Sequence, residues 1–271
     1  MRRRLGRGNF FEGGAIINKT AIEWADFTWN PCTGCWGPGG TAERPQRCAY
    51  CYANRIAKRD LMRGGLADPF VPAFHFDRLS QPAQVKKPSK IFVCSMADLF
   101  GDWVPEVWIL RILVEVVRCC PWHTFMFLTK NPKRLKEFRF YPNCWVGTTV
   151  TNQADADERL PWLLQVEAPM RFVSHEPLLS DIDLQYPTSL YPDGPQMCCS
   201  GEECACQGAP IDPPLIWGIN WAIIGGMTGP GAIKPEPEWV QGLIDQYRAA
   251  GVPVFCKDNL GLAQQVREWP R

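Results

Sequence analysis

The chain has 271 residues, 46% of them hydrophobic, with 12 tryptophans and 14 phenylalanines, a composition that builds a sizeable core and excludes an extensively disordered protein. Its 29 Lys and Arg stand against 28 Asp and Glu, a net charge of +1, so no global field draws the protein to nucleic acid or to a membrane, although a local basic patch remains compatible with that sum. The length suits one α/β domain, read here as residues 19–271, behind a flexible extension over 1–18.

Residues 1–9, MRRRLGRGN, carry four arginines, and the FFEGGAII that follows is broken by Glu12, Gly13 and Gly14. That apolar run is too short for a secretory signal or a membrane span, so the segment reads as a loose basic arm. Thirteen cysteines without an export signal point to a reducing, cytoplasmic compartment where thiols bind metals or stay free.

Ile22 to Asn30, with Trp24, Phe27 and Trp29, predicts a first strand that runs into the most specific stretch of the chain, WNPCTGCWGPGGTAERPQRCAYCYA over 29–53. It holds two Cys-x-x-Cys pairs, Cys32/Cys35 and Cys48/Cys51, around a Gly/Pro-rich loop that lets them converge on one metal centre. Two chemistries are open. Structural zinc would take all four thiolates in a closed tetrahedral site, whereas an iron–sulfur cluster on three cysteines would leave one iron free to bind a ligand. Tyr52-Ala53-Asn54-Arg55-Ile56 then starts a helix extending to about Arg63 and stopped by Gly64-Gly65, which puts Cys51 at a helix start, where the dipole favours a thiolate. Residues 66–89, with Phe70, Phe74 and Phe76, read as a connection in which His75 is a packed or surface histidine.

Apolar runs at Lys90 to Cys94, Thr124 to Leu128, Cys144 to Val150, Met170 to Val173, Trp221 to Ile224 and Val252 to Cys256 alternate with helical or loop segments such as Glu106 to Arg118 and Glu238 to Ala249. With the first strand this makes seven βα-type strands, one short of a closed eight-stranded barrel. The predicted fold is therefore a partial (β/α) barrel, with a doubly wound open sheet as the alternative. In both, polar residues just past the strand ends line the site. Those are Ser95 and Asp98, Thr129 and Lys130, Thr148 and Thr149, Ser174, His175 and Glu176, Gly225 and Gly226, and Lys257 with Asp258. Helix capping accounts for a single member such as Asp98 or Thr151, but not for Lys130, Glu176 and Lys257.

Residues 185–219 interrupt the pattern with six prolines and place Cys198, Cys199, Cys204 and Cys206 within nine residues, an insertion that reads equally as a second metal site (zinc or an auxiliary cluster) or as free thiols. Cys94, Cys144 and Cys256 fall on strands as small buried hydrophobes, and Cys119 and Cys120 close a helix. Other sites fail sooner. No phosphate-binding Gly-x-x-x-x-Gly-Lys loop is present, Pro230 spoils the glycine run 225–231 as a dinucleotide fingerprint, and three histidines offer few bases for a Cys-His hydrolase.

Cys48-x-Tyr50-Cys51, with Cys35 as first ligand, resembles the three-cysteine signature of radical S-adenosylmethionine (SAM) enzymes. The longer frame resembles a phage-associated, largely uncharacterised branch of that superfamily, on IEWADFTWNP, TGC, CAYCYA, SMADLF, FLTKNPKRL, FVSHEPLL and WAIIGG in that order. Twelve residues separate Cys35 from Cys48 where the superfamily usually has three, Cys32 is an extra thiol, and Met227 stands where this branch more typically has an acid. The resemblance implies a partial (β/α) barrel, a [4Fe–4S] cluster on Cys35, Cys48 and Cys51, reductive cleavage of SAM, and a flavodoxin- or ferredoxin-type reductant protein. It also implies cofactor contacts from Ser95 and Asp98 to the methionine ammonium, from Glu176 to ribose, and from Thr149 or Ser174 to carboxylate or ribose. Lys130 and Lys257 are then candidates for a substrate anion, and a nucleotide or nucleic acid is a plausible substrate class. The competing expectation is a four-cysteine zinc module without catalysis, presenting Arg44, Arg47, Arg55, Lys58 and Arg59 with Trp36 and Tyr52 to nucleic acid or a protein partner.

Overall fold

A computed structural model describes residues 17–61, 70–185 and 214–270. Its main sheet contains seven parallel strands: β1 (Phe27–Trp29), β2 (Lys90–Val93), β3 (Thr124–Thr129), β4 (Cys144–Thr149), β5 (Met170–His175), β6 (Trp221–Ile224) and β7 (Val254–Cys256). Each lies beside its predecessor in the chain, and a two-residue strand, Asn18–Lys19, pairs antiparallel with β1 at the outer edge. A doubly wound sheet would reverse its order at a switch point. Here the order never reverses, so the doubly wound alternative is corrected to an open, singly wound sheet, compatible with a partial barrel and not closed between β7 and the Asn18–Lys19 edge among the described residues.

The connections are α1 (Tyr52–Leu61), α2 (Glu106–Leu110, continuing as a π-helical stretch over Arg111–Val117), α3 (Pro132–Leu135), α4 (Gln153–Leu164) and α5 (Pro237–Ala249). Proline opens α3 and α5 at positions where its missing N–H costs no helix hydrogen bond. Asn152 caps α4 by accepting from the Asp155 amide at 2.9 Å. The predicted first strand is shorter than read, because Ile22 to Ala25 form a turn closed by the Ala25 amide on the Ile22 carbonyl.

Strand alternation splits the core in two. Ile91, Val93, Phe125, Phe127, Val146, Val173, Ala222, Ile224 and Val254 face the helices, while Phe92, Met126, Phe172, Trp221, Ile223 and Phe255 fill the inside of the curved sheet. At about 1.5–3 kcal/mol for each large side chain removed from water, both faces hold the sheet. The inner cluster is aromatic, with Trp24 against Phe92 at 4.7 Å and Trp221 stacked on Trp269 at 4.8 Å. It plugs the interior, so any chamber lies above it at the strand C-termini. Residues 1–16 of the basic arm, Gly64-Gly65 and most of the insertion fall outside the described residues, but Leu215, Ile216 and Ile219 at the insertion's end are buried in the core.

Candidate functional site

At the C-terminal mouth of the sheet is a cavity of about 360 Å³, floored by Trp24, Phe92 and Leu128 of the inner face. Parallel α/β sheets place ligands at this end. The cavity collects Cys35, Cys48 and Cys51, and also Ser95, Asp98, Thr129, Lys130, Thr149, Ser174, Glu176 and Lys257, whereas Thr148, His175, Gly225 and Asp258, which the sequence also offered, are not on its wall. Met227 and Gly226 line it too.

Backbone contacts fix the cysteine loop. Gly34 donates to the Met96 carbonyl at 2.9 Å, and Cys35 N donates to the Phe70 carbonyl at 3.0 Å. Gly34 has φ +85°, and a Cβ there would lie 2.2 Å from the Val71 carbonyl oxygen, so only glycine fits. The Gly37 amide donates to Cys35 Sγ at 3.3 Å, and the Asn54 amide to Cys51 Sγ at 3.3 Å. Cys51 thereby occupies the N-cap of α1, its sulfur standing where a capping oxygen usually sits. Amides aimed at sulfur favour thiolate and cluster sulfur alike. In the bare protein, burial first and Asp98 second push the Cys35 thiol up to about 12.

Cys32 is elsewhere. It sits in a two-residue ribbon, Cys32–Thr33 against Ala73–Phe74, fully buried and absent from the cavity wall, and burial, with Cys35 and Asp98 nearby, pushes its thiol up to about 12. Among the described residues no group of three or more His, Cys, Asp or Glu side chains is gathered tightly enough to hold a single metal ion. Cys198, Cys199, Cys204 and Cys206 lie outside the described residues.

Asp98 ties two strand ends together. One carboxylate oxygen accepts from the Thr129 hydroxyl at 2.6 Å and the Phe100 amide at 3.2 Å, the other from the Lys130 amide at 2.8 Å. Its capping work leaves lone-pair capacity for one more donor. Ser95 donates to Asn30 Oδ1 at 3.2 Å, and the Tyr52 hydroxyl donates to the Ser95 carbonyl at 2.6 Å. Ser174 is 1% exposed and its hydroxyl has no partner among the described residues although it belongs to the cavity wall. Glu176 and Lys257, which the sequence offered separate roles, form an ion pair with each other across β5 and β7. Lys130 lies over the Tyr50 ring, its ammonium 5.7 Å from the centroid. Although burial opposes its charge, Tyr50, Cys48 and Asp98 together raise it above the usual lysine range.

Thr151 does not cap by accepting helix amides, the role the simpler reading expects and Asn152 fills: its amide and hydroxyl donate to Asp155 at 2.9 and 2.7 Å, and Arg159 pairs with the same carboxylate at 2.7 Å. His75 is a packing residue bonded to Thr33 Oγ1 at 2.8 Å. Sequence reasoning missed the site role of Cys94 and Asn259, and offered Arg55 only as a contact to nucleic acid or a protein partner. Cys94, read as a strand hydrophobe, follows β2 at φ +60° and reaches the cavity wall. Asn259 clamps Gly226, accepting from its amide at 3.0 Å and donating to its carbonyl at 2.8 Å. Arg55 donates from α1 to the Thr228 carbonyl, fastening the glycine loop to the cysteine side. Only the position of Cys94 at a strand end was available as a signal; the partners of Asn259 and Arg55 are 33 and 173 residues away.

His175 ends β5 but points away from the cavity, with Nδ1 against the Val150 carbonyl at 2.9 Å and Nε2 against the Tyr247 hydroxyl at 2.7 Å. It is fully buried, and burial pushes its imidazole down to about 4. The unfolded chain takes up this proton near pH 6.5 while the folded chain resists until about 4, so its contribution is complete above 6.5 and lost as pH falls through that window. The expected loss is on the order of 3 kcal/mol. Urea unfolding between pH 7 and 4.5 should show a flatter profile for His175→Gln than for the parent; parallel profiles would refute this assignment.

No curated protein matches the chain. Two solved structures of spore photoproduct lyase, a tyrosine-to-phenylalanine mutant and a cysteine-to-alanine mutant with dinucleoside spore photoproduct, are each similar at 12% identity and a TM-score of 0.39, over 59% of this chain and 48% of theirs. The chain thus spans about half the length of those proteins. Over residues 19–268 the sequence matches the family described as protein of unknown function, DUF5131, and the chain belongs to that family.

Proposed function

We propose that this protein is a radical SAM enzyme whose Cys35, Cys48 and Cys51 hold a [4Fe–4S] cluster at the mouth of the open barrel, with SAM in the adjoining cavity. The observation that carries the reading is the sorting of the four thiols: three line one cavity at the strand C-termini, while Cys32 is sealed in the ribbon behind them. Three sulfur ligands with two amide donors, beside a buried Ser174 hydroxyl that has no partner among the described residues, fit an anionic cluster and a polar cofactor. Held by Cys35, Cys48 and Cys51, the cluster would supply one-electron reductive cleavage of SAM, and so radical chemistry on a substrate.

The chain's own residues place and shield. Ser95 and the remaining lone pair of Asp98 accept from the methionine ammonium, both pre-set by bonds to Asn30, Thr129 and the Lys130 amide. Thr149 and Ser174 face the carboxylate or ribose, and Glu176, oriented by Lys257, accepts from ribose hydroxyls. Trp24, Phe92 and Leu128 exclude water from the floor.

Purification without oxygen and reconstitution with iron and sulfide tests this. A brown protein with broad absorbance near the blue edge of the visible range is expected. A colourless protein with one zinc per chain would favour the four-thiolate module instead.

A further inference from the structure

We infer that Lys130 is a binding point for an oxyanion, a phosphate or carboxylate carried by the substrate rather than by the protein. The two cavity lysines differ in one respect. Lys257 is neutralised by Glu176, whereas among the described residues no carboxylate lies within ion-pair distance of the Lys130 ammonium. Tyr50 offers it a ring face at 5.7 Å, which supports a cation without cancelling its charge.

Asp98, the nearest acid in the chain segment that ends β2, is committed elsewhere. Its oxygens take the Thr129 hydroxyl, the Phe100 amide and the Lys130 main-chain amide, so it anchors the lysine's backbone and leaves the ammonium to the cavity. A half-buried ammonium with no carboxylate partner within ion-pair distance among the described residues offers an incoming oxyanion a charge-assisted hydrogen bond. Lys130 stands at the end of β3, between the cysteine loop beside Cys48 and the β4 end at Thr149. An anion there leaves the rest of the ligand spanning the cavity.

The inference rests on the reading that this cavity is the reaction chamber, and the two can fail separately. The iron–sulfur-reconstituted full chain is dialysed to equilibrium against radiolabelled inorganic phosphate at constant ionic strength, and in a second arm against radiolabelled acetate. Saturable uptake of about one anion per chain is expected, weakened roughly tenfold or more in Lys130→Gln and restored in part by Lys130→Arg. Stronger uptake in one arm assigns the oxyanion as phosphate or carboxylate. Because Asp98 holds the backbone amide, Lys130→Gln should keep its fold, and circular dichroism with iron content checks this. Equal uptake by parent and Lys130→Gln overturns the inference. So does a fall in iron content in Lys130→Gln, which would make the lysine a counter-charge for the thiolates. A parent that holds no cluster but still loses phosphate uptake on substitution sinks the radical SAM reading alone.

Discussion

Replacement of Cys35, Cys48 or Cys51 by alanine, one at a time, should reduce cluster content after anaerobic reconstitution to less than about a tenth of the parent, because each supplies one of three ligands and the fourth thiol on the cavity wall, Cys94, is buried at the end of β2, off the cysteine loop. Cys32→Ala should retain the cluster nearly in full. Its sulfur is buried against the ribbon that ends in Phe74, so the expected effect is a packing loss of about 1 kcal/mol. This asymmetry separates the two metal chemistries, since in a closed zinc site all four substitutions would be comparably severe. Iron and zinc content with visible absorbance for the four variants reads the outcome, and a Cys32→Ala protein as metal-free as the others would contradict the assignment.

Gly34→Ala should be nearly as damaging although glycine supplies no ligand. The added carbon would meet the Val71 carbonyl oxygen at 2.2 Å and the Val71 carbonyl carbon at 2.4 Å, main-chain atoms with no side-chain freedom to yield. At φ +85° the backbone also resists a Cβ, and together these cost on the order of 3 kcal/mol unless the loop moves. Moving the loop shifts Cys35, so cluster binding should fall with stability. Gly39→Ala is the control, at φ +68° but with its nearest neighbour, the end of the Gln46 side chain, 3.7 Å away. It should lose about 1 kcal/mol and keep its cluster. Equal behaviour of the two variants in urea unfolding and reconstitution would show that the close approach of Val71 does not position Cys35.

Much of the frame was legible because local pattern and tertiary role coincide. Each of the six apolar runs after Asn30 became a parallel strand, since strands covered on one face by helices and on the other by an aromatic plug need apolar residues at every position. Strand ends marked the site for the same reason: polar residues there have only the cavity or a helix cap to satisfy them. What was hidden is pairing across long separations. Apolar runs do not encode which strand neighbours which, so barrel and doubly wound sheet looked alike. Glu176 and Lys257 meet across 81 residues, and Asp98 meets Thr129 across 31. The overshoot at Ile22 has a local cause, because Ile22 and Trp24 alternate like a strand while packing into the inner core from a turn. Cys-x-x-Cys spacing likewise cannot tell a wall thiol from a buried one; the antiparallel pairing of Cys32 with Phe74 does.

The most direct test of a three-thiol cluster with one iron open to SAM is mass-spectrometric measurement of 5′-deoxyadenosine after the reconstituted protein is mixed with SAM and a strong one-electron reductant. The account predicts 5′-deoxyadenosine and methionine from the parent and from Cys32→Ala, and none above background from Cys48→Ala. Intact SAM in a parent sample that carries its full complement of iron and sulfide would contradict it.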